Sequence, residues 1–206
     1  PNCLAMAQGA NFISSPVRIG ICAPSTPFTR EAADRVAALA AAVQPRADLH
    51  FDEQCFFERG HFAGSDKQRA DSFVALANDP NIDAIWFARG GYGAARMAEP
   101  AIGQLGIHAQ GKTYLGYSDA GNLLGGLYRA GIGTVAHGPM PSDIGRPGGE
   151  QAVLRALNWL VDQTADAFEP GMTEGTKYAA FNLMTLTMMT GTSLMPDLRG
   201  HVLIIE

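Results

Sequence analysis

Apolar and polar positions along this chain follow two periods, a short one that predicts strands and a longer one that predicts helices. Val17-Arg-Ile-Gly-Ile-Cys-Ala-Pro24 is a compact apolar run and predicts a first, fully buried strand. Arg30 to Val43 is alanine-rich and helical. Thr29 stands at its N-cap, Glu31 in its first turn and Pro45 just past its end. Asp48 to Phe51 reads as a second strand and Glu53 to Gly64 as a loop with aromatic residues. Ser65 to Asn78 carries the clearest helical pattern: Ser65 and Gln68 form a capping box, and Phe73, Leu76 and Ala77 share a face. Ile82 to Ala88 is the next strand. It runs into Arg89-Gly-Gly-Tyr-Gly-Ala-Ala-Arg96, a glycine-rich loop that opens a helix.

The second half continues the alternation. Thr113 to Tyr117 predicts a buried strand, Asn122 to Arg129 a helix stopped at Gly131, and Gly133 to His137 another strand, which runs on into His137-Gly-Pro-Met140. Ser142 to Gly149 is rich in Pro and Gly, Glu150 to Asp162 is helical, and Thr164 to Tyr178 reads as a linker. Phe181 to Met189 reads as a helix, with Met184, Met188 and Met189 as core residues. His201 to Ile205 is a final strand. Strands alternating with helices predict an α/β fold with a parallel sheet covered on both faces. The predicted organisation is a leader or cloning remnant at residues 1–15, an α/β domain at 16–145, a helix and linker at 146–178, and the start of a smaller, incomplete C-terminal β/α domain at 179–206. The apolar run before Glu206 suggests a polypeptide that continues.

Ligands of parallel sheets bind beyond the carboxyl ends of the strands, and three candidate groups fall there: the loop at Arg89 to Gly93, Ser118 and His137. Ser118 lies between a strand and a helix, as in a nucleophile elbow, although Gly116-Tyr-Ser-Asp-Ala-Gly121 has one residue more than the G-x-S-x-G pattern. An ordinary turn serine has the same local signature. Asp119 can cap the helix that follows, and its N–H faces the place where an oxyanion would form. In the glycine loop, backbone N–H groups can approach a ligand closely, or the glycines make only a tight strand-to-helix turn. Neither G-x-G-x-x-G nor a P-loop lysine is present.

Composition removes other classes. The formal charge of −5, with 15 Lys and Arg, disfavours a nucleic-acid partner, and no apolar run is long enough for a membrane span. Cys3, Cys22 and Cys55 have no metal-ligand spacing and fit a reducing compartment, with Cys22 as a small core residue.

Taken in order, Ile19-Gly-Ile-Cys-Ala-Pro-Ser25, Ala63-Gly-Ser-Asp66, Arg89 to Arg96, Leu115-Gly-Tyr-Ser-Asp119, His137-Gly-Pro-Met140 and Leu203-Ile-Ile-Glu206 resemble the LD-carboxypeptidases of peptidase family S66, the murein tetrapeptide carboxypeptidases. The resemblance runs from Val17 to Glu206. It implies a glutamine-amidotransferase-like N-terminal domain with a smaller C-terminal domain, no metal or cofactor, a homodimer, a cytoplasmic location, and release of the terminal D-alanine from a murein tetrapeptide. It implies Ser118 as nucleophile and Glu206 as the acid of a Ser-His-Glu mechanism. In that mechanism Asp119 and the segment Gly90, Gly91, Tyr92 would hold the oxyanion, and Arg89 or Arg96 the substrate carboxylate.

Two departures stand out. The histidine of the family follows the acid in a Gly-His motif, and none of these 206 residues follows Glu206. His137 belongs to the structural His-Gly-Pro-Met turn, and His50, His61, His108 and His201 have no motif support. Ala179-Ala-Phe-Asn-Leu183 replaces the family's Gly-Gly-Asn-Leu. Rival readings are a hydrolase of the microcin C immunity type in the same family and a non-catalytic peptide-binding module. A glutamine amidotransferase would need a cysteine where Ser118 stands.

Overall fold

The computed structural model describes residues 15–173 and 175–206; the leader predicted for residues 1–15 lies almost wholly outside the described residues. Five parallel strands form the main sheet: β1 (Val17–Cys22), β2 (Ala47–Phe51), β3 (Ala84–Phe87), β4 (Thr113–Gly116) and β5 (Thr134–His137), in the order β2-β1-β3-β4-β5. Alternate side chains divide between the two faces. Ile19, Ile21, Trp86 and Leu115 pack against α1 (Arg30–Val43) and α5 (Gly149–Asp162). Cys22, Ile85, Phe87 and Tyr114 pack against α2 (Asp66–Asn78), α3 (Ala94–Ile102) and α4 (Gly121–Ala130). Both faces are therefore dry, as a parallel sheet requires.

The local signals act as their chemistry dictates. Thr29 accepts from Ala32 N–H, Ser65 and Gln68 complete their capping box, and Gly131 ends α4 in the left-handed region at φ +67°. The segment read as a loop after Asp52 contains a 3₁₀ turn, Glu53–Phe56, capped by Asp52.

Beyond α5 the sequence reading needs correction. Tyr178–Phe181 is not linker and helix start but a strand, β6, paired in parallel with β7 (Val202–Ile205). The helix between them, α6, begins only at Leu183, with Asn182 as its N-cap, and runs to Met189. Met189 is buried, whereas Met184 is 67% exposed and is not a core residue. Helix α6 docks on α4 because α4 has glycines on the touching face. A Cβ at Gly121 would lie 3.0 Å from Thr185 Cγ2, and one at Gly125 would lie 2.9 Å from Met189 Sδ. No helix among the described residues is long and apolar enough to cross a membrane.

Candidate active site

The turn after β4 is tight because Gly116 has no side chain; a Cβ there would lie 3.0 Å from Phe87 Cδ2 and 3.2 Å from Ala120 Cβ. Tyr117 is extended, and Ser118 then turns to φ +57°. That left-handed conformation costs a residue bearing Cβ about 1–2 kcal/mol. A single 3₁₀ turn, Ser118–Ala120, leads straight into α4. Ser118 is half-buried, at a strained strand-to-helix elbow of the type that lifts a side chain off the end of a sheet.

Asp119 does not cap the helix that follows it. Its buried carboxylate reaches instead to α3, where Oδ2 accepts Ala94 N–H at 2.8 Å, and to the loop after β1, where Oδ2 accepts the Ser25 hydroxyl at 2.5 Å. Oδ1 accepts from Asn122 Nδ2 at 3.0 Å. One carboxylate thus caps the neighbouring helix and ties three strand ends together. Helix α3 has no capping side chain of its own, since its N-cap is Gly93. Burial pushes the Asp119 carboxyl up, and the donors from Ser25, Ala94 and Asn122 work against that shift. Among the described residues, the Asp119 N–H takes no backbone partner outside its own turn.

The glycine loop passes directly over Ser118. A Cβ at Gly90 would lie 3.0 Å from both Cβ and Oγ of Ser118. Gly91 has φ +123°, and a Cβ there would lie 2.4 Å from Thr26 Cγ2. The Thr26 hydroxyl holds the loop by donating to Gly90 O at 2.6 Å. Loops after β1 and β3 therefore meet where the strand order reverses, with the end of β4 beside them.

The two arginines of the loop differ. Arg96 is committed to Asp66, through Nε at 2.9 Å and Nη2 at 2.8 Å, and its guanidinium also lies over the Phe62 ring. Asp66 also meets the fully buried Arg69 at 2.5 Å, and Arg69 donates to Gly64 O and Gly93 O. Arg96 and then Arg69 hold the Asp66 carboxyl below the usual aspartate range, against partial burial. Arg96 is thus engaged by Asp66 in this structure. Arg89 is exposed and donates to Pro27 O at 3.2 Å. Tyr92 is 44% exposed at the rim, beside His61 and Phe62.

Glu206 directly follows β7, and its carboxylate stands 3.6 Å from His137 Nε2. Burial pushes the His137 pKa down, and the Glu206 charge opposes that shift. The structure thus pairs Glu206 with the histidine of the His-Gly-Pro-Met turn. Both line a cleft of about 740 Å³ between β5, α5 and the β6–β7 pair, together with Tyr117, Arg146 and Trp159. Tyr117 donates to Asp143 at 2.8 Å, and Arg146 donates to the Tyr117 hydroxyl at 2.7 Å. Burial, then the Asp143 bond, pushes the Tyr117 pKa up to about 12.

Ser25, Thr26 and Thr185 were not singled out as site residues in the sequence. Ser25 sits in the Ala-Pro-Ser run after β1, a signal of position without a role. Thr185, in α6, donates to Ser118 O at 3.0 Å, and no local pattern announces that.

Residues 19–138 match the family described as the LD-carboxypeptidase N-terminal domain of peptidase S66. A Synechocystis sp. protein named as a carboxypeptidase, slr1534, is 34% identical over 155 residues, 71% of this chain and 49% of that protein. The "Probable murein peptide carboxypeptidase" of Bacillus subtilis is 29% identical over 72% of this chain and 50% of that protein. The chain thus spans about half the length of these relatives. Among solved structures, the microcin C7 self-immunity protein MccF bound to aspartyl sulfamoyl adenosine superposes with a TM-score of 0.70 at 21% identity. The match covers 94% of this chain and 69% of that one, a likeness of fold. On the match of residues 19–138, this chain belongs to the LD-carboxypeptidase family, peptidase S66.

Proposed function

We propose that this chain carries the nucleophilic half of a serine-type LD-carboxypeptidase, which releases the terminal D-alanine from a murein tetrapeptide. The observation that carries the reading is Ser118, held at φ +57° on a strand-to-helix elbow beneath the glycine loop. Ser118 Oγ attacks the carbonyl that precedes D-alanine. The N–H of Asp119 and one from Gly90, Gly91 or Tyr92 receive the oxyanion, each donor being worth about 3 kcal/mol in the transition state. Gly90 suits this role because a side chain there would fill the space beside Oγ. Arg89 binds the terminal carboxylate of the substrate. Glu206 orients the imidazole that takes the serine proton and returns it to the leaving amine. That imidazole is the histidine of the family's Gly-His motif, outside these 206 residues; His137, facing Glu206 at 3.6 Å, is the alternative among the described residues. No metal or cofactor enters the scheme. The protein works as a homodimer in the cytoplasm.

The test is D-alanine release from murein tetrapeptide by the longest product of the gene, with Ser118→Ala and His137→Gln beside it. Ser118→Ala should abolish turnover with the fold intact. His137→Gln should keep most activity if the base lies elsewhere and lose it if His137 is the base. Full hydrolysis by Ser118→Ala would overturn the assignment. Offering an aminoacyl sulfamoyl nucleoside in parallel tests the second reading, a microcin-immunity type of hydrolase. Preference for that substrate would replace the murein reading.

A further inference from the structure

Helix α6 contains Thr185 and Thr187 and ends on Thr190, and the three do not behave alike. Thr187 donates to Leu183 O at 2.8 Å and Thr190 to Leu186 O at 3.0 Å, each four residues back. This is what a helical threonine does when nothing else claims its hydroxyl. Thr185 stands in the first turn, where the residue four back, Phe181, belongs to β6; its hydroxyl donates across the interface, to Ser118 O at 3.0 Å, and its side chain is almost wholly buried. Its methyl group fills the space above Gly121, where a Cβ would lie 3.0 Å from Thr185 Cγ2. The first residue of the same helix also reaches Glu206: Leu183 N–H donates to Glu206 O at 3.1 Å, while Glu206 N–H donates to Phe181 O, at the end of β6, at 3.2 Å.

We infer that Thr185 is a positioning residue, which locks the strained Ser118 elbow in register with the strand end that carries Glu206. The inference rests on the assignment of Ser118 and Glu206 proposed above. The physical need is plain. Ser118 sits in a conformation that its Cβ disfavours, and it needs a partner from outside the turn to keep it there. Thr185 supplies a buried donor from an element that glycines of α4 allow to dock closely. Leu183 and Thr185 are two residues apart, so one short helix fixes the spacing of nucleophile and acid.

The test compares Thr185→Val, which keeps the shape and loses the donor, with Thr185→Ser, which keeps the donor. Thr187→Val serves as the control that loses only a bond internal to the helix. In the full-length protein, Thr185→Val should lower kcat about 10- to 100-fold with KM nearly unchanged, since displacement of a reacting group acts on the chemical step. Thr185→Ser should restore kcat to within about threefold of wild type. In amide hydrogen exchange, the 118–121 segment should exchange about tenfold faster in Thr185→Val than in wild type, while Thr187→Val should leave it unchanged. Equal kcat and equal exchange in wild type and Thr185→Val would overturn the inference, as would equal losses in Thr185→Val and Thr187→Val. If the wild-type protein releases no D-alanine, the proposed function falls and the exchange comparison alone decides the role of Thr185.

Discussion

Ser25 Oγ donates to Asp119 Oδ2 at 2.5 Å, which joins the loop after β1 to the elbow after β4 across 94 residues of sequence. The same oxygen accepts Ala94 N–H at the start of α3, so Asp119 is the node where three loops of the rim converge. Asp119→Ala leaves these donors buried without an acceptor, at about 1–3 kcal/mol each. The expected loss is about 2–5 kcal/mol in urea unfolding. Ser25→Ala should cost about 1 kcal/mol, and the double variant should lose less than the sum of the single ones. Strict additivity would mean that the bond contributes nothing.

The strain at Ser118 predicts a trade between stability and activity. Glycine removes the Cβ that disfavours φ +57°, whereas alanine retains it. Ser118→Gly should therefore be about 1 kcal/mol more stable than Ser118→Ala, with both inactive in D-alanine release. Thermal unfolding of the pair measures it. A glycine variant less stable than the alanine one would place the strain elsewhere.

Adjacent glycines of the loop should fail for different reasons. Gly91→Ala meets Thr26 Cγ2 at 2.4 Å at a φ of +123°, so it should lose about 2 kcal/mol or more of stability. Adding Thr26→Ser, which removes that methyl, should recover part of the loss. Gly90→Ala lacks the backbone penalty, but its Cβ would sit 3.0 Å from Ser118 Oγ. Its stability should change by about 1 kcal/mol or less, while kcat falls about 100-fold. Loss of fold in Gly90→Ala would contradict this division.

Asp66 should give the protein part of its acid sensitivity. Arg96 and Arg69 hold its carboxyl below the usual range, so the folded state releases this proton more readily than the unfolded chain does. The contribution is complete above the unfolded aspartate pKa and is lost as pH falls through the lower, folded value. Asp66→Asn abolishes this titration. The Tm difference between wild type and Asp66→Asn should be constant from neutral pH down to about 5 and shrink as the pH falls further. A difference that stays constant over that acid range would show that Asp66 does not contribute to the acid limb.

The sequence by itself determined the alternation of strands and helices, because burial on two faces makes every strand of a parallel sheet apolar and leaves the helices their own period. It also determined the caps of α1, α2 and α4, which depend on Thr29, Ser65 with Gln68, and Gly131, each acting within a few residues of its own position. The elbow at Ser118 and the glycine loop were legible for the same reason, as strand ends followed by turn residues. The strand β6 was not legible: Tyr178-Ala-Ala-Phe181 has little intrinsic strand signal and is made a strand by pairing with β7. Tertiary structure alone decided which helix Asp119 caps, that Arg96 is committed to Asp66, that Glu206 faces His137, and that the Thr185 hydroxyl reaches Ser118. A carboxylate, a guanidinium or a hydroxyl carries the same local signature whatever it bonds. Its partner depends on which strand ends the sheet order brings together, and that order is a property of the whole chain.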